Sequence, residues 1–155
     1  MNVGEIMTQA VKACRPDSDL ESVAMDMWNH DCGCIPVVDE AGKPVGIITD
    51  RDIAMAGALK GEALRDIRIS EVIKGHRLHC CYTADPVQVA LKTMWAEHVR
   101  RLPVIDSEGR LAGILSVDDI IASAERGKRG QGVPALSYDD AMTTLKAVCS
   151  HHAAQ

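Results

Sequence analysis

Two short segments hold the residue types best suited to chemistry, Thr49-Asp50-Arg51-Asp52 and Ser116-Val117-Asp118-Asp119, each a hydroxyl followed three residues later by a carboxylate. That spacing caps a helix: the hydroxyl accepts from a backbone N–H one turn on, and the carboxylate reaches back to the N–H of the capping residue. The same pair also suits a ligand, because a helix start offers free N–H groups and a favourable dipole to phosphate. The hydroxyl adds a donor, and a fixed carboxylate can accept both hydroxyls of a ribose. Spacing alone favours the cap. A cap does not explain the glycine three residues ahead of each hydroxyl, Gly46 and Gly113, at the end of an apolar run. There the missing side chain would let a ligand approach the backbone.

Six cysteines offer a different chemistry. Cys32 and Cys34 flank Gly33 near His30, and Cys80-Cys81 follow His79. Zinc sites usually leave two to four residues between paired cysteines, so the spacing argues against a structural metal. Cys14 and Cys81 stand 67 residues apart and read as small buried apolar positions on matching strands. His151-His152 read as incidental. No Ser/His/Asp or Cys/His arrangement is spaced to imply a nucleophile. The adjacent Arg100-Arg101 would, taken alone, be solvated surface charge.

The chain that positions these residues repeats itself. Ile35-Pro36-Val37-Val38-Asp39 matches Leu102-Pro103-Val104-Ile105-Asp106, Gly46-Ile47-Ile48-Thr49 matches Gly113-Ile114-Leu115-Ser116, and Met27-Trp28 matches Met94-Trp95, all at an offset of 67. In each copy an amphipathic helix (Leu20, Val23, Ala24, Met27, Trp28; Val87, Ala90, Leu91, Met94, Trp95) precedes a hairpin. Ser18 with Glu21, and Asp85 with Pro86, supply the helix starts. The hairpins pair 35–39 with 44–49 and 102–106 with 111–116, and each turn holds a glycine suited to positive φ, Gly42 and Gly109. A second helix starts after Thr49 and Ser116, and short apolar runs at 10–14 and 78–82 add a strand. The order per copy is strand, helix, strand, strand, helix. A Gly-rich link at 127–132 leads to a tail helix capped by Ser137 and Asp140, whose Ala141, Met142, Leu145 and Val148 form a stripe in need of a partner surface.

Composition bounds the function. The 155 residues are 46% hydrophobic, enough for a buried core, and only 3% aromatic. Acidic residues outnumber basic ones 22 to 17, for a net charge of −5, and no basic block offers nucleic acid a continuous surface. No run approaches the roughly 20 apolar residues of a membrane span. The reading is a soluble cytoplasmic protein without nucleic-acid or membrane partners.

Both copies resemble cystathionine beta-synthase (CBS) domains, and the pair resembles a Bateman module, over residues 1 to 126. The marks are the hydrophobic-Pro-Val-hydrophobic-Asp strand and the Gly-hydrophobic-x-Thr/Ser-x-x-Asp segment, each present twice at one spacing. The resemblance implies an α/β fold of two repeats, 1–66 and 67–126, packed about a pseudo-twofold axis, with 127–155 as linker and C-terminal helix. It further implies a regulatory, non-enzymatic module, commonly a homodimer, that binds adenosine compounds in clefts between the repeats and signals to an unidentified protein. No cofactor is required. The sequence does not choose among AMP, ADP, ATP, NAD and S-adenosylmethionine.

By that resemblance one cleft would hold ribose on Asp119 and phosphate near Ser116 and Asp118, with the base against Thr8, Lys12, Gly33, Cys34 and Ile35. The other would use Thr49, Arg51 and Asp52, with Lys74, His79, Arg101 and Leu102 around the base. Pro36, Gly46, Pro103 and Gly113 complete the two sets. Arg100 and Arg101, where the first copy has Gly33-Cys34, would contact phosphate. The alternative is a cysteine-based redox or metal sensor on the same scaffold.

Overall fold

A computed structural model describes residues 1–127 and 132–150 of the chain. Along it come α1 (Val3–Ile6), β1 (Thr8–Gln9), α2 (Leu20–Asn29), β2 (Cys34–Val38), β3 (Pro44–Thr49) and α3 (Asp50–Lys60). After a 3-10 turn at Leu64–Asp66 follow α4 (Ile69–Ile73), β4 (Cys81–Tyr82), α5 (Val87–Glu97), β5 (Arg101–Ile105), β6 (Leu111–Ser116), α6 (Val117–Ser123) and α7 (Tyr138–Cys149). These elements divide into two compact units that do not follow chain order. One comprises Ala10–Leu78 with Gly109–Leu111. The other joins Met1–Gln9 to His79–Glu108 and to the chain from Ala112 onward.

In the first unit β2 and β3 form an antiparallel hairpin running from Cys34 opposite Thr49 to Val38 opposite Pro44. Gly42 turns it at φ +76°, the positive value expected there. Alternating burial places Ile35, Val37 and Ile48 in a core with Leu20, Val23 and Met27 of α2, Ile53 of α3 and Ile67 and Ile69 near α4. The expected cap of α2 moves by one residue: Asp19, not Ser18, accepts from Ser22 N at 2.8 Å. The strand expected at 10–14 contracts to a single parallel bridge between Cys14 and Val37, with Ala10 at φ +52°.

The second unit has a four-stranded sheet in the order β1-β6-β5-β4. Strand β1 joins antiparallel, Thr8 opposite Ile114, while β4 lies parallel to β5. Its core gathers Leu91 and Met94 of α5, Leu102 and Val104 of β5, Leu115 of β6 and Ile120 of α6. Helix α5 starts at Pro86 without a side-chain cap, and Asp85 instead accepts from Tyr82 N.

The tail helix finds its partner surface within the chain. Ser137 and Asp140 cap α7 reciprocally, and the Ser137 N–H and hydroxyl hold the Asp140 carboxyl below its ordinary range. The helix lies across α5 and α6, burying Ala141, Thr144 and Val148 while Met142, expected in the stripe, stays 52% exposed. Trp95 explains why Thr144 takes that place. Its Nε1 donates to Thr144 Oγ1 at 2.7 Å, and Thr144 Oγ1 donates to Asp140 O at 2.8 Å, so the buried hydroxyl is satisfied as acceptor and as donor. The Gly-rich link falls mostly on residues 128–131, and His151 and His152 follow residue 150; both lie outside the described residues.

Thr144→Val keeps the shape at that seam and removes its acceptor, leaving the half-buried indole N–H unpaired. Chemical denaturation should show a loss of about 1–2 kcal/mol, the usual cost of orphaning a buried donor. A change within about 0.3 kcal/mol would mean that water replaces the threonine at no cost.

Candidate functional site

Each repeated hydroxyl–carboxylate pair sits where an apolar strand runs into a helix. In the first unit β3 ends at Thr49 with the backbone extended, and α3 begins at Asp50. Thr49 N and Oγ1 both donate to Asp52 Oδ2, at 2.9 and 2.8 Å, and Asp52 N donates to Thr49 Oγ1 at 3.1 Å. In the second unit Ser116 N and Oγ donate to Asp119 Oδ2 at 2.7 and 2.6 Å, and Asp119 N returns to Ser116 Oγ at 3.2 Å. The cap is therefore formed twice, with the same atoms.

The pairs differ at the second carboxylate oxygen. Asp119 Oδ1 accepts from Thr8 Oγ1 at 3.0 Å, which ties β1 to the start of α6. The described hydrogen bonds leave Asp52 Oδ1 uncommitted, and Asp52 is half-buried. A carboxylate oxygen accepts two hydrogen bonds, so Asp52 keeps capacity for a ligand without loss of its cap.

The glycines ahead of the hydroxyls answer to protein packing. A Cβ on Gly46 would stand 2.8 Å from Ile73 Cδ1, and one on Gly113 would stand 2.5 Å from the Thr8 carbonyl oxygen. The close approach expected of a ligand is made by α4 in the first unit and by β1 in the second. Ile35 and Leu102 are fully buried core residues, with neither side chain nor backbone exposed to a ligand. Pro36 and Pro103 are buried beside them.

Arg100, Arg101, Ser116 and Asp118 line one cavity of about 160 Å³, room for a phosphate group rather than a whole nucleotide. Val148 and Cys149 at the end of α7 line it too, and Arg100 Nη2 donates to Cys149 Sγ at 3.3 Å. Nothing in the sequence flagged Cys149, because only packing of α7 on α5 and α6 brings it there. The remaining candidates are not among the residues that line this cavity. Lys12 pairs with Asp26 at 3.6 Å, Cys34 lies opposite Thr49 in the hairpin, Gly33 O accepts from Asp50 N, Arg51 and Lys74 are exposed, and His79 Nε2 lies 3.3 Å from Glu97 Oε2.

All six cysteines, each among the described residues, are outside any disulfide. Burial pushes the Cys14 and Cys81 thiols up to about 12, with Asp26 and Asp85 respectively adding to it, and pushes Cys80 up as well. Among the described residues no group of three or more His, Cys, Asp or Glu side chains is assembled to hold a metal ion. No described helix is long and apolar enough to cross a membrane.

The family model for the CBS domain matches residues 3–58 and 65–126. The homoserine O-acetyltransferase of Methanococcoides burtonii is 33% identical over 119 residues, which are 77% of this chain and 23% of that enzyme. The chain thus spans under a quarter of that relative. Among solved structures, hypoxic response protein I, determined with two coordinated zinc ions, superposes with a TM-score of 0.72 at 27% identity over 81% of this chain and 100% of that one. The CBS domain pair of protein MJ0100, in complex with 5′-methylthioadenosine and S-adenosyl-L-methionine, gives a TM-score of 0.66 at 26% identity over 79% and 94%.

Gly113→Ala should destabilise the fold more than Gly46→Ala, because the first clash is with backbone and the second with a methyl group at the end of a side chain. We expect about 2–3 kcal/mol against about 1 kcal/mol by urea denaturation, the range for overpacked cores; equal losses would show that β1 moves freely. Alkylation at pH 8 should modify exposed Cys149 and spare Cys14 and Cys81, since the thiolate is the nucleophile and theirs is suppressed. Mass spectrometry showing all three modified at one rate in folded protein would contradict this.

Proposed function

Because the chain belongs to the CBS domain family, we propose that it is a regulatory module that binds an adenosine nucleotide and passes the occupancy to another protein. The observation that carries this reading is the cavity shared by Arg100, Arg101, Ser116 and Asp118 at the start of α6. Two arginines line a space of phosphate size there beside Ser116 and Asp118, while the chain as a whole is acidic. The CBS domain pair of protein MJ0100, with its two adenosine ligands, supports adenosine as the organic part.

In this proposal Ser116, Arg100 and Arg101 bind phosphate beside the start of α6, where the Val117 and Asp119 N–H groups already donate to Arg100 O and Ser116 Oγ. Asp119 accepts a ribose hydroxyl by sharing Oδ1 with Thr8, and Asp52 offers its uncommitted Oδ1 in the same role beside Thr49 and Arg51. Thr8, Lys12, Gly33 and Cys34, and in the other set Lys74 and His79, are the proposed surroundings of the bases. No residue is assigned a reaction step. Binding acts by population shift, and the ligand changes partner affinity only through its different affinities for the two conformational states.

An uncovered α7 stripe would favour a homodimer. With that stripe buried against α5 and α6, the proposal of a dimer rests on other surfaces. The cytoplasm, where nucleotides are abundant, is the proposed location.

AMP should outcompete adenosine, and Arg100→Ala or Arg101→Ala should remove most of that preference. Each lost charge-assisted contact is worth about 1.5–3 kcal/mol, roughly tenfold or more in Kd. The preference should shrink with added salt. Calorimetric competition at two salt concentrations is the measurement. Adenosine binding as tightly as AMP would show that the two arginines are surface charge and that this cavity is not a phosphate site.

A further inference from the structure

The cavity beside Arg100 and Arg101 has walls of two origins. The repeat supplies the arginines, at the start of β5, with Ser116 and Asp118 at the start of α6. Helix α7, which lies outside the repeated pattern, supplies Leu145, Val148 and Cys149. Contacts elsewhere along α7 fix where that second wall stands. At its start Glu125 N donates to Leu136 O at 2.9 Å and Tyr138 N to Glu125 O at 3.2 Å, tying the chain that enters α7 to the chain that leaves α6. In its middle Trp95 donates to Thr144 Oγ1, and Val148 follows one turn later, fully buried. At its end His98 Nδ1 lies 3.1 Å from Ala147 O, and Arg100 Nη2 donates to Cys149 Sγ at 3.3 Å. Of these contacts only the last uses a side chain that the cavity also offers to a ligand.

Size and charge both limit what can enter. Pockets that enclose a whole small ligand measure about 300–1,000 Å³, whereas this cavity is about 160 Å³. A phosphate group can enter while the rest of its ligand stays outside. Two arginines suit one phosphate monoester, which carries a charge of about −1.5 to −2 at neutral pH. Further phosphates would bring negative charge with no further cation among the lining residues, where Asp118 is already acidic. The last turn of α7 is the negative pole of that helix, and it lines the same space. Each phosphate beyond the first therefore meets a fixed wall and charge of its own sign.

We propose that α7 sets how many phosphates this cavity admits: its last turn leaves room for one phosphate group beside Arg100 and Arg101 and shuts out a longer chain, so the site takes a nucleoside monophosphate in preference to a triphosphate. The inference rests on the phosphate reading of the cavity and adds to it the residues that limit phosphate number, Val148 and Cys149, which lie outside both repeats. A monophosphate costs the helix one contact, that of Arg100 with Cys149. A second phosphate has to displace Val148 as well, a buried residue held in register by Thr144.

The test is calorimetric titration of the full chain with AMP, ATP and adenosine in magnesium-free buffer, where no cation masks the phosphates. AMP should bind at least about tenfold tighter than ATP, since specificity of this kind comes from clash and like charge against the larger ligand. Two variants then act on the wall by different routes. Cys149→Gly removes its outermost side chain at the exposed last position of the helix, where glycine is well tolerated. Thr144→Val keeps every lining residue and loosens the register. Each should narrow the AMP-to-ATP ratio about threefold or more, through tighter ATP binding and not through weaker AMP binding. A variant that only damages the fold weakens both nucleotides together, so a ratio unchanged in both variants would overturn the proposal and place the selection in the repeats. ATP binding as tightly as AMP to the unaltered chain would overturn it too, while leaving the phosphate reading intact. AMP binding no tighter than adenosine would overturn both, because the cavity would then receive no phosphate.

Discussion

The hydrogen bond from Trp95 to Thr144, with the seam buried around it, is what separates two otherwise equivalent halves. A pair of amphipathic helices presents an apolar face that must be covered, and each repeat builds such a pair. In the second unit α7 covers it with Ala141, Thr144 and Val148, and the indole N–H that would oppose a wholly apolar cover meets a hydroxyl. Thr144 is fully buried because it is the one small residue on that stripe that can accept this proton and pass its own to Asp140 O. Once α7 is seated, its end reaches Arg100, and the phosphate-sized cavity gains a wall of Val148 and Cys149.

A second constraint is that the residues proposed to hold a ligand already hold the fold. Thr49 with Asp52 and Ser116 with Asp119 close the start of a helix through one carboxylate oxygen in each pair. Such caps are worth about 1 kcal/mol, and they fix both the carboxylate and the helix start before any ligand arrives. The reading as a cap and the reading as a site therefore cease to compete. The cap uses Oδ2, while Oδ1 is uncommitted at Asp52 and shared with Thr8 at Asp119. That difference, more than the identity of the carboxylate, makes the two sites inequivalent.

Much of this was legible because the repeat registers residues against each other. The hairpins, the glycine turns at Gly42 and Gly109, the two capping boxes and the cap of α7 all follow local rules of spacing. What escaped depends on long-range contact. Gly46 and Gly113 read as room for a ligand, but only the fold shows that Ile73 and Thr8 occupy the space. Met142 fits the helical stripe by spacing and Thr144 does not, yet the threonine is buried because of an indole 49 residues away in the chain. The strand at 10–14 reads well by composition, but Ala10 at positive φ interrupts it. The first nine residues belong to a compact unit whose other members lie beyond residue 78, a fact no local pattern carries.

The seat of α7 and the phosphate-sized cavity share Val148, Cys149 and Arg100, and this sharing has a thermodynamic consequence under the proposed function. A phosphate that engages Arg100 competes with the Arg100–Cys149 contact, so an anion bound there must bind differently to the seated and unseated states of α7. Linkage is reciprocal: whatever factor α7 seating imposes on the anion's affinity, the anion imposes on the seating equilibrium. The coupling can be no larger than the differential contacts at the cavity, and one charge-assisted bond sets it at about 1.5–3 kcal/mol. That magnitude is small beside the burial of Ala141, Thr144 and Val148, so occupancy would loosen the last turn of α7 rather than release the helix. The end of α7 is the segment on which ligand occupancy acts most directly, because there a basic side chain serves the fold and the cavity at once.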